Sequence, residues 1–129
     1  MPTLAMKSKT PDEFLSLLDK KIHEAKDMLI ERFNWICSQS PESAKFMYNN
    51  GTMEGYIPEE GIRSALKHGT LAIGNIGLAE TLQILIGCNH TTQKGMDLAK
   101  KIYSLFAKRC KEFKEEYKLN FGVCNTPRD

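Results

Sequence analysis

Apolar residues recur at three- and four-residue steps along two long stretches, which predicts two amphipathic helices. The first helix is expected over residues 11–37 and the second over residues 93–118. "TPDE" places Thr10 as N-cap, Pro11 at the first helical position and Glu13 two residues further, the pattern of a capping box. The first stripe comprises Phe14, Leu17, Leu18, Ile22, Ala25, Met28, Leu29, Phe33 and Ile36. The second comprises Met96, Ala99, Ile102, Tyr103, Phe106, Cys110, Phe113 and Tyr117.

The pattern between and after these helices predicts a loop, short helices and two strands. Residues 41–61 are rich in Asn, Gly and Pro and read as a loop, and a short helix is expected to start at Pro58 and end at Gly69. Residues 70–87 begin with an apolar run typical of a strand buried on both faces and continue with helical spacing. Residues 120–125 of "LNFGVCNTP" read as a second buried strand.

Together these elements predict a mainly α chain with two or three short strands, an α/β fold in one partial domain spanning residues 1–129. The third strand would be "TLAM" near the N-terminus. A long crossover between the two better strands favours parallel pairing. So few strands cannot bury both faces of a sheet, so we expect the chain to be a section of something larger.

Three glycines in "KHGTLAIGNIGLAETL" raise the possibility of a phosphate-binding turn. A dinucleotide turn needs G-x-G-x-x-G and a P-loop needs G-K-[ST], whereas Gly69, Gly74 and Gly77 are spaced G-x-x-x-x-G-x-x-G. Nucleotide binding through these glycines is therefore disfavoured. We expect Gly69 to end a helix, and Gly74 and Gly77 to let a strand and its following helix approach closely.

Composition narrows the function classes further. The 129 residues carry 18 Lys and Arg against 16 Asp and Glu, a net +2 that is too even to indicate a nucleic-acid binder. The sequence has neither an apolar run of about 18 residues nor the apolar core of a signal peptide, so we expect a cytoplasmic protein without membrane contact.

The cysteines and histidines lack the spacing of a metal site. Cys37 and Cys110 are expected to pack on helix faces, and Cys88 and Cys124 complete the set. His23 reads as a surface or boundary residue. His68 and His90 are expected to be polar residues at helix ends, so no cofactor or metal ligand is predicted in this chain.

Two segments in the right order resemble the anaerobic, class III ribonucleoside-triphosphate reductases: "HGTLAIGNIGLAETLQILIG" and "EEYKLNFGVCNTP". In addition, "PTLAMKSKTPDEFLSLLDKKIHEAKDMLIERF" is similar to the strand and long helix that follow the family's radical-bearing loop. The resemblance implies a section of a ten-stranded α/β glycyl-radical barrel. In the complete enzyme a thiyl radical takes hydrogen from the ribose of a ribonucleoside triphosphate, which leads to the deoxyribonucleotide.

For the complete enzyme the resemblance also implies a glycyl radical, a structural zinc site and an iron–sulfur S-adenosylmethionine activase. The partners would be the remainder of the reductase chain, the substrate and the activase. A homodimer is compatible with the resemblance. The radical cysteine would lie before Met1, and the glycyl loop and zinc cysteines after Asp129. None of the catalytic residues is therefore expected in this chain, which would be inactive alone.

One partial site carries over from the resemblance. Thr126 and Pro127 match the start of the family's Thr-Pro-Ala-Glu substrate-phosphate loop, whereas Arg128 and Asp129 depart from it. A carboxylate at this place would repel a phosphate. The alternative hypothesis is a stand-alone, non-enzymatic helical interaction module, in which the stripes of the two long helices close on each other.

Overall fold

A computed structural model of the chain describes residues 1–40, 42, 50, 54, 56–88 and 91–125. Most of the loop expected at 41–61 lies outside these residues. The described chain is mainly helical with a small parallel sheet, which agrees with the predicted α/β class at that level. Its helices are α1 (Pro2–Met6), α2 (Pro11–Cys37), α3 (Arg63–Leu66), α4 (Leu78–Ile86) and α5 (Gln93–Tyr117), with a 3₁₀ turn at Pro58–Glu60, and its strands are β1 (Thr70–Asn75) and β2 (Asn120–Asn125).

Both long helices begin at threonine caps. The Thr10 side chain accepts a hydrogen bond from the backbone N–H of Glu13, at 3.2 Å, as the capping box predicts. The Glu13 carboxylate, however, accepts from the N–H of Lys9 at 3.1 Å, one residue before the usual partner. At α5, Thr92 accepts from the N–H of Gly95 at 3.1 Å. These bonds satisfy donors that a helix start otherwise leaves unpaired.

The short helices differ from prediction in two ways. "TLAM" is helical, not a third strand, because Pro2 suits the first helical position and the residues after it include good helix formers. The helix expected from Pro58 is broken at Gly61, which adopts φ +73°, so that α3 starts only at Arg63. Gly69 donates to the Leu66 carbonyl at 3.0 Å but is not among the residues with positive φ, so the predicted glycine cap is wrong.

Strands β1 and β2 pair in parallel, as the long crossover predicts, with Thr70 opposite Asn120 and Asn75 opposite Asn125. The expectation that β1 is buried on both faces is wrong, and so is the expectation that β2 is a buried strand, since Val123 and Cys124 are exposed. Ile73 and Asn75 are buried on one face, whereas Ala72 and Gly74 are exposed on the other. We call the exposed face the outer face. None of its residues has a large apolar side chain, and they are Thr70, Ala72, Gly74, Asn120, Gly122 and Cys124.

The covered face of the sheet packs against the helices in one hydrophobic core. Both helical stripes contribute to it, together with Ala5 of α1, Ile73 of β1 and Leu82 of α4. The fully buried members from the long helices include Phe14 and Ile102, both with no exposed surface. Met28 was predicted in the first stripe but is 70% exposed, because it lies on the flank of α2 that the sheet and α5 do not cover.

Candidate functional site

The candidate site is the edge of the sheet at which both strands end. Because β1 and β2 are parallel and in register, their carboxyl ends lie side by side at Asn75 and Asn125. The chain leaves β1 through Ile76 and Gly77 and enters α4 at Leu78. Ligands of open α/β sheets bind most often at this edge, next to the start of the following helix.

Asn75 is the polar residue that β1 brings to this edge. Its neighbour Ile76 is 63% exposed, but Asn75 is only 8% exposed and is not without an interaction partner. In the family that the sequence resembles, an apolar or aromatic residue is expected after Gly74, and Asn75 departs from that pattern without a functional reading. The structure shows that an amide is accommodated in a nearly closed position beside the second strand.

The turn into α4 depends on Gly77. Its φ of +79° and ψ of +32° are left-handed, a conformation that favours glycine. A Cβ atom added at Gly77 would lie 2.5 Å and 2.6 Å from the Cγ and Cδ atoms of Pro2, so α1 packs directly on the turn. The prediction that Gly77 lets a strand and its following helix approach closely is therefore wrong, because the element that approaches Gly77 closely is α1. At Gly74 an added Cβ would meet the Cys124 carbonyl only at 3.8 Å, an ordinary contact.

Thr81 fixes the same turn from inside α4. Its side chain is completely buried, and its hydroxyl donates to the Gly77 carbonyl at 2.7 Å, while its backbone N–H donates to the same carbonyl at 2.9 Å. The sequence offers no reading of Thr81. A threonine on the first turns of a helix commonly bonds to a carbonyl four residues earlier, and that pattern was the available signal.

The two site residues that the resemblance implies cannot be placed. Thr126 and Pro127 lie outside the described residues, which end at Asn125. The substrate-phosphate loop thus stays a prediction. What the structure adds is its starting point, because β2 ends in register with Asn75.

The cysteines show the character of packing residues. Cys110 is buried as predicted, Cys37 and Cys88 are half-buried, Cys124 is exposed, and all four are free. Burial raises the pKa of the Cys110 and Cys37 thiols, which keeps them protonated and unreactive at neutral pH. Among the described residues, no three His, Cys, Asp or Glu side chains are grouped as a metal site would require.

The histidines do not gather at the candidate site. His23 is half-buried on α2, where Nδ1 lies 2.9 Å from the Asp19 carbonyl and the ring meets Phe113 edge to face at 5.4 Å. His68 is exposed just after α3, as expected of a helix-end residue. His90 lies outside the described residues.

A two-point ion pair between Arg109 and Asp19 connects α5 to α2. Arg109 donates to both carboxylate oxygens of Asp19, at 2.7 Å and 2.9 Å, and to Glu112 at 2.6 Å. The hydrogen bonds from Arg109 lower the pKa of Asp19, and those to the two carboxylates raise the pKa of Arg109.

A second polar cluster surrounds Lys26, which is 9% exposed on α2. Its ammonium group lies 2.6 Å from the Asp27 carboxylate and 3.1 Å from the Tyr117 hydroxyl. It also lies 5.4 Å and 5.3 Å from the ring centres of Phe113 and Tyr117. The hydrogen bond to Asp27 raises the pKa of Lys26, so that this buried lysine stays charged.

The described residues at the sheet edge include backbone hydrogen-bond donors. At this edge α4 begins after Gly77 without a side-chain cap, so the first backbone N–H groups of that helix can donate hydrogen bonds to oxygen-rich ligands. In the described part of the chain, no nucleophile is paired there with a base. No helix in that part combines the length and apolar character that a membrane crossing requires.

Comparison with known protein families agrees with the resemblance. The model of the anaerobic ribonucleoside-triphosphate reductase family matches residues 1–129. Comparison with curated proteins gives no match to the chain. Because the family model covers the whole sequence, the chain belongs to the anaerobic ribonucleoside-triphosphate reductase family.

Proposed function

We propose that this chain is a section of the catalytic α/β barrel of a cytoplasmic anaerobic ribonucleoside-triphosphate reductase and is inactive alone. The observation that carries the proposal is the family match over residues 1–129, together with a parallel sheet that the helices of the described chain cover on one face and leave exposed at Ala72 and Gly74 on the other. Parallel sheets are stable almost only where both faces are covered. The uncovered face therefore supports a structure that continues beyond these strands.

The outer face, which is the face of the sheet that the helices leave exposed, carries side chains whose size fits the inside of a barrel. Helices α2 and α5 lie on the other face, which would be the outside of the barrel. Ala72 faces outward beside Gly122, and Gly74 beside Cys124. These small side chains leave room for other parts of the enzyme and for the substrate to approach the strands.

In this proposal the chain contributes to substrate positioning and not to the radical steps. The resemblance assigns the radical and zinc residues to other parts of the complete enzyme, with an activase that installs the glycyl radical. A ribonucleoside triphosphate would approach the carboxyl edge of the sheet, where β2 leads towards Thr126 and Pro127. The 129 residues alone, supplied with activase, formate and substrate, are expected to give no deoxyribonucleotide.

Substitution of Ala72 by arginine distinguishes a barrel section from a helical module. Ala72 is exposed in the described chain, so Ala72→Arg should change the free energy of unfolding of the isolated chain by no more than about 0.5 kcal/mol. The same change should prevent assembly of a chimera in which residues 1–129 replace the matching segment of an active family member. An arginine inside a barrel would be buried without a partner, which costs several kcal/mol.

The test measures assembly of the chimera, by size-exclusion chromatography and thermal melting. Activity is not used, because Arg128 and Asp129 depart from the phosphate-loop pattern and could lower it by themselves. Lys111→Glu on the exposed side of α5 is the matched control and should leave assembly intact. If Ala72→Arg assembles as well as the control, the outer face does not line a barrel and the proposal is wrong.

A further inference from the structure

An open groove lies between α2 and α5, on the helix side of the chain. Its volume is about 380 Å³, which is within the usual range of small-molecule sites, about 300–1,000 Å³. Lys101, Ser104 and Lys108 line it from α5, and Ser16 lines it from α2. Two ammonium groups and two hydroxyl groups therefore border one depression.

The two serines lie at the same level of the groove. Arg109 of α5 pairs with Asp19 of α2, and Tyr117 farther along α5 bonds to a residue farther along α2, so the two helices run in the same direction. Ser16 lies about one turn before Asp19 and therefore comes level with the turn of α5 that contains Ser104. One hydroxyl group thus comes from each wall of the groove.

Both hydroxyl groups are available to a ligand. Serines on helices commonly bond to the carbonyl one turn earlier, as Ser8 does to the Leu4 carbonyl at 2.8 Å. Ser16 and Ser104 are exposed and make no such bond, and among the described residues neither hydroxyl has another hydrogen-bond partner.

The two lysines lack the ion pairs that neighbouring acids on α5 could form. Asp97 lies one turn before Lys101, but its carboxylate accepts a hydrogen bond at 2.9 Å from the amide side chain one turn earlier. Glu112 lies one turn after Lys108, but it accepts from Arg109 at 2.6 Å. Within the described part of the chain neither lysine has an ion pair, so both ammonium groups keep their donors.

The carboxylate that lines the groove does not cancel this positive charge. Asp19 accepts from Arg109 through both of its oxygens, at 2.7 Å and 2.9 Å. Its charge is therefore balanced by a residue outside the lining. Lys101 and Lys108 leave the groove with a net attraction for anions.

We propose that this groove binds the phosphate group of a small phosphate monoester at Ser104. Lys101 lies three residues before Ser104 and Lys108 four residues after it, and helix residues at these steps are neighbours with about 5–6 Å between their Cβ atoms. Both ammonium groups can therefore reach one phosphate bound between them. Ammonium–phosphate hydrogen bonds are charge-assisted, and the hydroxyl groups of Ser104 and Ser16 can donate to the other phosphate oxygens.

The floor of the groove suits the organic part of such a ligand. Leu15 and Leu105 line the groove and are half-buried, so part of each side chain is still open to contact. A water molecule takes up about 30 Å³ in the liquid, so about 380 Å³ leaves room for a phosphate and several carbon atoms. Burial of apolar surface against the two leucines would add to the affinity.

This inference goes beyond the proposed function and does not depend on it. The groove is lined by α2 and α5, and neither the outer face of the sheet nor its carboxyl edge contributes to it. Helices α2 and α5 would lie on the outside of the proposed barrel, and they would carry the same groove in a helical module. Loss of phosphate binding would therefore not decide between a barrel section and a module.

An NMR titration of the 129-residue chain with phenyl phosphate at neutral pH and low salt tests the site. The backbone N–H signals around Ser16 and Ser104 should shift and saturate. Phenol lacks the phosphate and should cause no such shift. Inorganic phosphate lacks the apolar part and should bind at the same place about threefold more weakly.

Variants on α5 test the roles of the individual side chains. Lys101→Gln and Lys108→Gln should each weaken phenyl phosphate binding about tenfold, and Ser104→Ala about threefold. Lys111→Gln removes the same charge from an exposed position outside the groove and should bind like the unchanged chain. Circular dichroism of every variant should match that of the unchanged chain, because the substituted residues are exposed.

Four results would overturn the proposal. The first is the absence of saturable shifts, and the second is a set of shifts spread along all the lysines of α5. The third is a loss of affinity in Lys111→Gln as large as that in Lys108→Gln, which would indicate general attraction between charges. The fourth is equal affinity for inorganic phosphate and phenyl phosphate, which would exclude a role for the apolar floor.

Discussion

Replacing Gly77 by alanine is expected to destabilise the chain more than the same replacement at Gly87, although both glycines have positive φ. Gly77 has φ +79° and Gly87 has φ +67°, so the left-handed backbone conformation strains an alanine by a similar amount at either place, about 1–2 kcal/mol. The surroundings differ. A Cβ at Gly87 meets nothing within 4 Å, whereas a Cβ at Gly77 lies 2.5 Å from the Pro2 ring.

The additional cost at Gly77 comes from α1. The ring of Pro2 cannot rotate away, so α1 must shift from the turn and loosen the packing of Ala5, which is 1% exposed, and of Leu4 beside it. Partial loss of these contacts corresponds to about 1–2 kcal/mol at ~0.8 kcal/mol per buried methylene. We therefore expect a total loss of about 2–4 kcal/mol for Gly77→Ala and about 1–2 kcal/mol for Gly87→Ala.

Urea denaturation at neutral pH, followed by circular dichroism, measures both losses. A Pro2→Ala change in the Gly77→Ala background removes the Cγ and Cδ atoms that collide, so the double variant should lose no more than Gly87→Ala beyond the effect of Pro2→Ala alone. Equal losses for the two glycine variants, or no rescue by Pro2→Ala, would refute the packing of α1 on the turn.

Three further changes test contacts that hold the elements together, each by urea denaturation. Asp19→Asn should cost about 1–2 kcal/mol at pH 7 through the two-point pair with Arg109. Because the pair lowers the pKa of Asp19, it stabilises the folded chain fully above the ordinary pKa of 3.8, and this stabilisation is lost as pH falls through the lower pKa of the folded state. A loss of unfolding free energy in Asp19→Asn that does not depend on pH would contradict this. Lys26→Met should lower the free energy of unfolding by about 1 kcal/mol, because the hydrogen bond to Tyr117 is lost. Lys26→Glu should lower it clearly more, because a negative charge then lies over the aromatic rings, and equal losses for the two variants would contradict a cation–π contact. Thr81→Val should cost about 1 kcal/mol and Thr81→Ser less, because serine keeps the hydroxyl; the reverse order would show that packing dominates.

Features encoded by local sequence are the ones that could be predicted. The start of α2 at Pro11 depends on a cap and a proline that are neighbours in the chain, and the observed helix begins there. The parallel pairing of β1 and β2 follows from the length of the crossover, which is also readable from the sequence.

Features that depend on distant partners could not be predicted. The prediction of "TLAM" as a strand failed because four residues carry too little pattern to outweigh the helical start at Pro2. The sequence indicated a close approach at Gly77, but its partner Pro2 lies 75 residues earlier in the chain and could not be identified from local pattern. Met28 fits the spacing of the first stripe and is exposed all the same, since spacing alone does not fix where the sheet ends. For the candidate site, Thr126 and Pro127 remain a prediction.

The sheet is the feature that separates a barrel section from a helical module. The stripes of α2 and α5 lie in one core, which a helical module would also require. Such a module has no need of two parallel strands that leave Ala72 and Gly74 exposed and, among the residues the structure describes, pair only with each other. A two-stranded sheet is marginal by itself, and a parallel one depends on cover over both faces. In the proposed barrel, further strands would pair with these edges and the outer face would line the interior. Ala72 and Gly74 would then be required to be small. Assembly of the chimera with Ala72→Arg therefore decides between a barrel section and a helical module, because Ala72 would be buried only inside a barrel.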